Sequence, residues 1–253
     1  MVEEYLGWRS SESDKSSYLN AVRQIIGDEN CFNDFRGNTP AGYITILEHL
    51  SYADAVKYFE LIKSDHGDEI FNLNEFSKND ICGARKFPFD TFNINPTTLR
   101  YSYVALEIKK LFSSFDNFDY IEIGGGYGGQ ARIAQSLFGF NYIKLLDLPD
   151  PLKLQKKFLS KFNITPETLL VTDEFEVKKN SLAVSNYAWC ELDEKYRSMY
   201  LEKVISKCDC FYLTSYEIDI RKELSHISDV TFFSDKFNTC TVAVRDARNK
   251  DKK

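Results

Sequence analysis

The most informative run in the chain is Tyr120-Ile121-Glu122-Ile123-Gly124-Gly125-Gly126-Tyr127-Gly128-Gly129. A short apolar strand runs into five glycines and a tyrosine, and helix-forming residues, Gln130 to Phe138, follow at once. Glycine reaches positive φ and carries no Cβ, so a bulky group can rest against the chain. The exposed N–H groups at the start of the next helix suit an anionic or strongly polar group. The spacing has two readings. Gly124, Gly126 and Gly129 fit the dinucleotide pattern G-x-G-x-x-G. Gly124, Gly126 and Gly128 fit E-x-G-x-G-x-G, the pattern of methyltransferases that bind S-adenosylmethionine, with Glu122 as the leading acid.

Downstream of this stretch, strands and helices alternate. Strands are expected at Tyr142 to Leu146, Leu169 to Thr172, Ser181 to Ser185 and Cys210 to Thr214. Helices are expected from Pro151 to Phe162, capped by Asp150, and from Asp193 to Ser206. That rhythm implies a parallel sheet covered on both faces. It then breaks. After a short helix near Glu217 to Leu224, Val230 to Phe233 and Asn238 to Val244 are too close for a crossover helix, so they form an antiparallel pair at a sheet edge. Upstream, Pro96-Thr97-Thr98 opens a helix from Leu99 to Phe112. Amphipathic helices are expected at Ser17 to Ile26 and at Ile44 to Lys63, the second with Ile46, Leu50, Ala53, Val56, Phe59 and Ile62 inward. Ser64 to Asn95 reads as irregular. The expected organisation is a helical cap over 1–95, an α/β domain over 96–246 and a frayed basic tail over 247–253.

The bulk numbers exclude several classes. A chain of 253 residues with 43% hydrophobic and 15% aromatic residues can build a substantial core. A net charge of −6 argues against a nucleic-acid backbone or an anionic membrane surface as the main partner. The six cysteines include no C-x-x-C pair, which indicates neither a zinc nor a redox motif and fits reduced thiols. The first residues, Met1 to Tyr5, lack a secretory pattern, and no apolar run reaches membrane-spanning length. A cytoplasmic protein without membrane insertion is expected.

Four features favour the methyltransferase spacing. The glycine strand begins only at Asp119, whereas dinucleotide folds commonly begin near the N-terminus. No Tyr-x-x-x-Lys pair of the short-chain oxidoreductases occurs. The terminal strand pair suits a methyltransferase sheet, and Glu122 stands two residues before Gly124. Asp147, at the end of the second strand, suits a carboxylate gripping a ribose diol, but would do so for either cofactor.

Three further segments carry a resemblance. Glu122-Ile-Gly-Gly-Gly-Tyr-Gly-Gly-Gln130, Leu146-Asp-Leu-Pro149 with Leu154-Gln155, and Ser185-Asn-Tyr-Ala-Trp-Cys-Glu-Leu-Asp193 resemble the sugar O-methyltransferases of bacterial surface-polysaccharide gene clusters, as does Asn95-Pro-Thr-Thr-Leu-Arg-Tyr101 upstream. The likeness covers about residues 95–245. It implies a Rossmann-like class I methyltransferase sheet, mostly parallel with an antiparallel C-terminal strand, that uses S-adenosylmethionine to methylate a sugar hydroxyl on a nucleotide-activated or phosphorylated sugar. Trp189-Cys190 departs from the pair expected there, which puts that pocket wall in doubt.

The expected cofactor residues are Glu122, Gly124, Gly125, Gly126, Tyr127, Gly128, Gln130, Asp147, Leu148, Asp173, Ser185 and Asn186, with Asp173 aimed at the adenine amino group. Glu191 is the first candidate base for the acceptor hydroxyl and His226 the second, with Tyr187 stacking on the sugar or holding the nucleophile. Arg100, Tyr101 and Arg132 are candidate substrate contacts. His49 reads as a packing histidine. His66, in Asp65-His-Gly-Asp68, reads as a metal ligand or as turn chemistry. A divalent metal is compatible with such chemistry, but no ligand spacing supports one. An NAD-dependent nucleotide-sugar oxidoreductase or epimerase, and a non-catalytic module that only binds S-adenosylmethionine, are the alternatives.

Overall fold

The computed structural model describes residues 16–37, 43, 47–216, 218–237 and 240–248. Helices α1 (Ser16–Gly27), α2 (Glu29–Asp34), α3 (Tyr52–His66) and α4 (Leu73–Phe76) precede a hairpin of β1 (Phe87–Phe89) and β2 (Phe92–Ile94). Helix α5 (Pro96–Phe112) leads into the main sheet. There, β3 (Asp119–Ile123), α6 (Gly129–Phe138), β4 (Ile143–Leu146), α7 (Pro149–Ser160), β5 (Glu167–Leu169) and β6 (Ser181–Ser185) follow in turn. Helix α8 (Glu194–Tyr200), β7 (Cys210–Ser215), α9 (Ile220–Glu223), β8 (Val230–Ser234) and β9 (Thr241–Asp246) complete the chain.

The seven-stranded sheet has the order β5-β4-β3-β6-β7-β9-β8. Strands β3 to β7 pair in parallel, while β9 runs antiparallel to both β7 and β8. This is the Rossmann-like sheet of class I methyltransferase type, with the antiparallel ending the sequence implied. Strands β3, β4, β6 and β7 are buried along their whole length because both faces are covered, while β5 at the edge is only partly buried. On β3, Tyr120 packs into the core beneath α5, α6 and α7, whereas Ile121 and Ile123 join the core beneath α8 and α9. The chain order reverses between β3 and β6, so the crevice at their carboxyl ends is where this fold binds ligands.

Several expected boundaries moved. Helix α3 starts at Tyr52, not Ile44, because Ser51 and Asp54 form a reciprocal capping box that ends the preceding chain. Its inward face is Ala55, Tyr58, Phe59 and Ile62, and Ala53 is exposed. Ile44 and Ile46 lie outside the described residues. Helix α7 begins at Pro149, and Asp150 is not its cap: the carboxylate receives Arg23 Nε of α1 at 2.7 Å. Strand β5 ends at Leu169 because the Asp173 carboxylate accepts the Leu170 N–H at 2.7 Å and closes a turn there. The region expected to be irregular contains the β1–β2 hairpin, whose loop residue Asp90 has φ +46°. At the other end, Arg248 is not frayed: it bonds Asp246, Ser114 O and Phe112 O. Asn238 and residues 249–253 lie outside the described residues.

The expected division at 95/96 is a helix cap, with Asn95 Oδ1 accepting the N–H groups of Thr97 and Thr98. One apolar core runs through α1, α3, α5 and the sheet. A buried guanidinium fastens these parts together. Arg36 Nε donates to Glu48 Oε1 at 2.6 Å, Nη1 to Asn79 O at 2.5 Å, and Nη2 to Asn95 Oδ1 at 3.0 Å. Asp80 Oδ1 lies 3.7 Å away, and the guanidinium sits 4.6 Å from the Tyr127 ring centroid. Arg36→Ala would leave Glu48 and Asp80 without their counter-charge, and is expected to lower the unfolding free energy by about 3–5 kcal/mol. Urea unfolding followed by tryptophan fluorescence checks this; a loss comparable to that of a surface ion pair, below about 1 kcal/mol, would contradict it.

Candidate functional site

The glycine loop turns the chain from β3 into α6 with alternate residues in the left-handed region: Gly124 at φ +73°, Gly126 at +56° and Gly128 at +93°. These are the glycines of the E-x-G-x-G-x-G spacing. Gly129, which only the dinucleotide spacing requires, takes no positive φ as the first helical residue after the Gly128 cap; its lack of a Cβ makes room for the Tyr127 ring, 2.6 Å from where one would sit, and not for a ligand. At Gly124 a side chain is excluded twice, by φ and by Ala188, whose Cβ occupies the space a Cβ would need. The loop is pinned by Gly124 N–H to Leu146 O at 3.0 Å and Gly128 N–H to Gly125 O at 2.8 Å.

Above the loop lies a cavity of about 640 Å³, within the usual range for small-molecule and cofactor sites. Its floor is Gly124, Gly125 and Gly126; one wall is Asp147 and Leu148 after β4, another Asn186, Tyr187 and Ala188 after β6. Glu122, Arg100, Tyr101 and Glu191 also face it. The cap closes the remaining side with Leu47, His49, Asp54 and Tyr58, and Phe237 of the β8–β9 connection stacks on Tyr58 at 4.0 Å between centroids.

Support for these groups comes from residues just beneath. Asp147 Oδ1 accepts its neighbour Leu148 N–H at 2.8 Å, and Oδ2 accepts Gln155 Nε2 at 2.7 Å. The same Gln155 amide donates to Gly126 O at 3.2 Å, so one side chain sets both the carboxylate and the loop. Gln130 is fully buried and does not line the cavity. It accepts from Asn186 Nδ2 at 3.1 Å, leaving Asn186 Oδ1 buried with no hydrogen-bond partner. Ser185 likewise sits below, donating to Ile123 O. Tyr187 occupies φ +69°, an uncommon conformation for a bulky residue that its surroundings enforce. Thr214 Oγ1 accepts its N–H at 2.6 Å, Cys190 Sγ donates to its carbonyl, and its hydroxyl donates to Asp235 Oδ2 at 2.9 Å.

Glu122 is the electrostatic outlier. Burial pushes its carboxyl up from 4.5 to about 8, and the Asp147 charge adds to the rise. Its Oε2 is buried with no hydrogen-bond partner among the described residues.

Other expected site residues lie elsewhere. Tyr127 points into the core between Phe35, Tyr101 and Phe158. Gly128 is covered by Leu159. Arg132 is committed to Glu75, at 2.7 Å to the carbonyl and 2.5 Å to the carboxylate, and stacks on Phe162. Asp173 closes its own turn instead of facing adenine. His226 is exposed and does not line the cavity. Trp189 is no wall at all: it is buried in the core and donates to Glu223 Oε2. His66 is a buried packing residue, with Nε2 3.0 Å from Glu107 Oε1. His49, expected to pack within a helix, instead faces the cavity from the chain before α3. The cap residues His49, Asp54 and Tyr58 and the acid Asp235 were missed; the Ser51-x-x-Asp54 box was the readable signal for where that cap helix begins. Among the described residues no three His, Cys, Asp or Glu side chains gather as a metal site, and no helix is long and apolar enough to cross a membrane.

No protein-family model and no curated protein matches the sequence. Among solved structures, the chain is similar to Thermoplasma acidophilum 1320, with 14% identity over 60% of this chain and 90% of that one and a TM-score of 0.46. It is also similar to a SAM dependent methyltransferase from Aquifex aeolicus, with 12% identity over 56% and 88% and a TM-score of 0.44. A third is M. capricolum TrmK in complex with S-adenosyl-homocysteine, with 14% identity over 59% and 68% and a TM-score of 0.43. None of these likenesses reaches a TM-score of 0.5, so the chemistry is read from this chain's own residues.

Two outcomes follow from the loop. Gly124→Ala is expected to destabilise by more than about 1 kcal/mol, and adding Ala188→Gly should recover the steric part but not the strain of φ. Urea midpoints of the single and double variants measure it; a neutral single variant would contradict it. Secondly, between pH about 4.5 and about 8 the folded protein holds a proton at Glu122 that the unfolded chain has released. Stability therefore falls as pH rises through that window. Glu122→Gln should flatten the stability profile there and be the more stable protein above pH 8. An unchanged slope in pH-dependent unfolding would show that Glu122 does not titrate this way.

Proposed function

We propose that the chain is an S-adenosylmethionine-dependent O-methyltransferase that methylates a sugar hydroxyl. The observation that carries this reading is the conjunction at the β3–α6 turn. The three glycines at positive φ follow the methyltransferase spacing, and the buried, unpartnered Glu122 Oε2 lies beside them. The methionine part of the cofactor carries an ammonium group that would supply the missing donor to Glu122, while backbone without Cβ leaves room at Gly124 to Gly126. Asp147 retains lone pairs on both oxygens for two ribose hydroxyls. Leu148 and Leu192, with Tyr196 and Tyr200 beyond, offer an apolar flank suited to adenine. Asn186 Oδ1 is a second unpartnered acceptor at the same site.

When bound, S-adenosylmethionine supplies a methyl group already activated by its sulfonium charge. The protein's part is alignment, worth up to about 7–11 kcal/mol when well oriented, and removal of the acceptor's proton. Glu191 faces the cavity and is the proposed base; Tyr187, fixed by Thr214 and Asp235, positions the acceptor. A sugar suits the aromatic lining of Tyr58, Tyr101 and Tyr187. The form expected from the resemblance, a nucleotide-activated or phosphorylated sugar of surface-polysaccharide synthesis in the cytoplasm, belongs to this proposal.

Calorimetric titration with S-adenosylhomocysteine and with NAD tests the reading. S-adenosylhomocysteine should bind and NAD should not, and Asp147→Ala should weaken the binding at least about ten-fold, as expected for loss of a charged acceptor to two hydroxyls. Tight NAD binding without S-adenosylhomocysteine binding would replace the proposal with an oxidoreductase.

A further inference from the structure

Arg100 differs from the other inward-facing arginines, of which Arg245 donates to Cys208 O. Arg36, Arg132 and Arg197 each pair with a carboxylate, to Glu48, Glu75 and Glu223 respectively. Arg100 lines the cavity and makes no ion pair among the described residues, and its Nε is buried with no hydrogen-bond partner. Its neighbours are rings: the guanidinium carbon lies 5.3 Å from the Tyr101 centroid and 5.7 Å from that of Tyr187. Burial works against its charge, but Tyr101, Tyr58 and Tyr187 outweigh that and hold its pKa above the ordinary value. A guanidinium in this position is always charged, and its charge is met by tyrosines and not by a carboxylate among the described residues. An incoming oxyanion would supply the missing counter-charge and match the planar fork with two parallel hydrogen bonds.

The rest of the lining limits how much negative charge can enter. Its other described ionisable groups include four acids, Asp54, Glu122, Asp147 and Glu191, and His49 is the one other basic side chain among the described residues. One fixed cation facing Asp54, Asp147 and Glu191, with Glu122 holding its proton, suits a group with a single anionic centre and repels a polyanion.

Resting on the methyltransferase reading for the neighbouring cofactor half, we infer that Arg100 is the subsite for one oxyanion of the acceptor, a carboxylate or a single phosphoryl group, and that a diphosphate bridge is not held there. This narrows the acceptor to an acidic or monophosphorylated sugar. Tyr101 and Tyr187 flank the guanidinium, so the same subsite would hold the sugar ring beside them.

Titration calorimetry on the full chain, with and without S-adenosylhomocysteine, tests this with four probes: glucose, glucuronate, glucose 1-phosphate and UDP-glucose. At least one of the two single-anion sugars should bind roughly ten-fold or more tightly than glucose, and which of them does so distinguishes carboxylate from phosphoryl. UDP-glucose should bind no more tightly than glucose 1-phosphate. Arg100→Met should abolish the anionic preference, and Arg100→Lys, which keeps the charge but loses the fork, should retain part of it. Equal or undetectable binding of all four sugars overturns the inference, as does a preference that survives in Arg100→Met. UDP-glucose as the tightest ligand also overturns it. If S-adenosylhomocysteine does not bind but the Arg100-dependent preference remains, the methyltransferase reading falls and the anion subsite stands.

Discussion

Arg36 carries a charge into a place where water cannot reach it, and the structure around it is arranged to answer that charge. The cap contributes Glu48, Asp80 and the Asn79 carbonyl, and the start of α5 contributes Asn95 and Thr98. The glycine loop contributes the face of Tyr127. Removing one partner from such a set leaves others buried and unpaired, so the members stand or fall together. The consequence is geometric. A segment far from the sheet in sequence is locked over the β3–α6 turn, and the cavity acquires a lid made of Leu47, His49 and Tyr58.

The same logic recurs on a smaller scale around the cavity. Side chains that face the ligand space are held by buried amides and hydroxyls that do not. Gln155 joins Asp147 to Gly126, Gln130 holds Asn186, and Thr214 with Asp235 fixes Tyr187 in a backbone conformation it would not adopt alone. What remains unanswered is therefore informative. Of the buried polar atoms without a hydrogen-bond partner among the described residues, Glu122 Oε2, Asn186 Oδ1 and Arg100 Nε belong to side chains that line the cavity. They divide the cavity into a part suited to a cationic, hydroxyl-rich cofactor and a part suited to an anionic acceptor.

Much of the sheet could be read from the chain because the buried parallel strands are short, mainly apolar segments that end at turns and alternate with helices. The glycine spacing, Asp147 and the antiparallel ending were legible for the same local reasons. Misplacements arose where a side chain acted at a distance. Asp173 was read as a ligand group, but closes the turn that shortens β5. Arg132 and Tyr127 carry the right chemistry, yet Glu75 and the Phe35–Phe158 cluster claim them. Trp189 was read as a cavity wall, and Glu223, from beyond β7, draws it into the core. Conversely, His49 and Asp235 have no local signature; the cap and the β8–β9 connection bring them to the site through packing alone.

On the proposed reading, the glycine loop and the turns after β4 and β6 form one seat for S-adenosylmethionine. Amide hydrogen exchange with and without S-adenosylhomocysteine tests it most directly, since ligand contact slows local opening. Protection is expected at Gly124 to Gly126, at Asp147 and Leu148, and at Asn186 to Ala188, with little change around Asp173 and His226. Protection confined to other segments, or none at saturating ligand, would show that these three turns do not hold the cofactor.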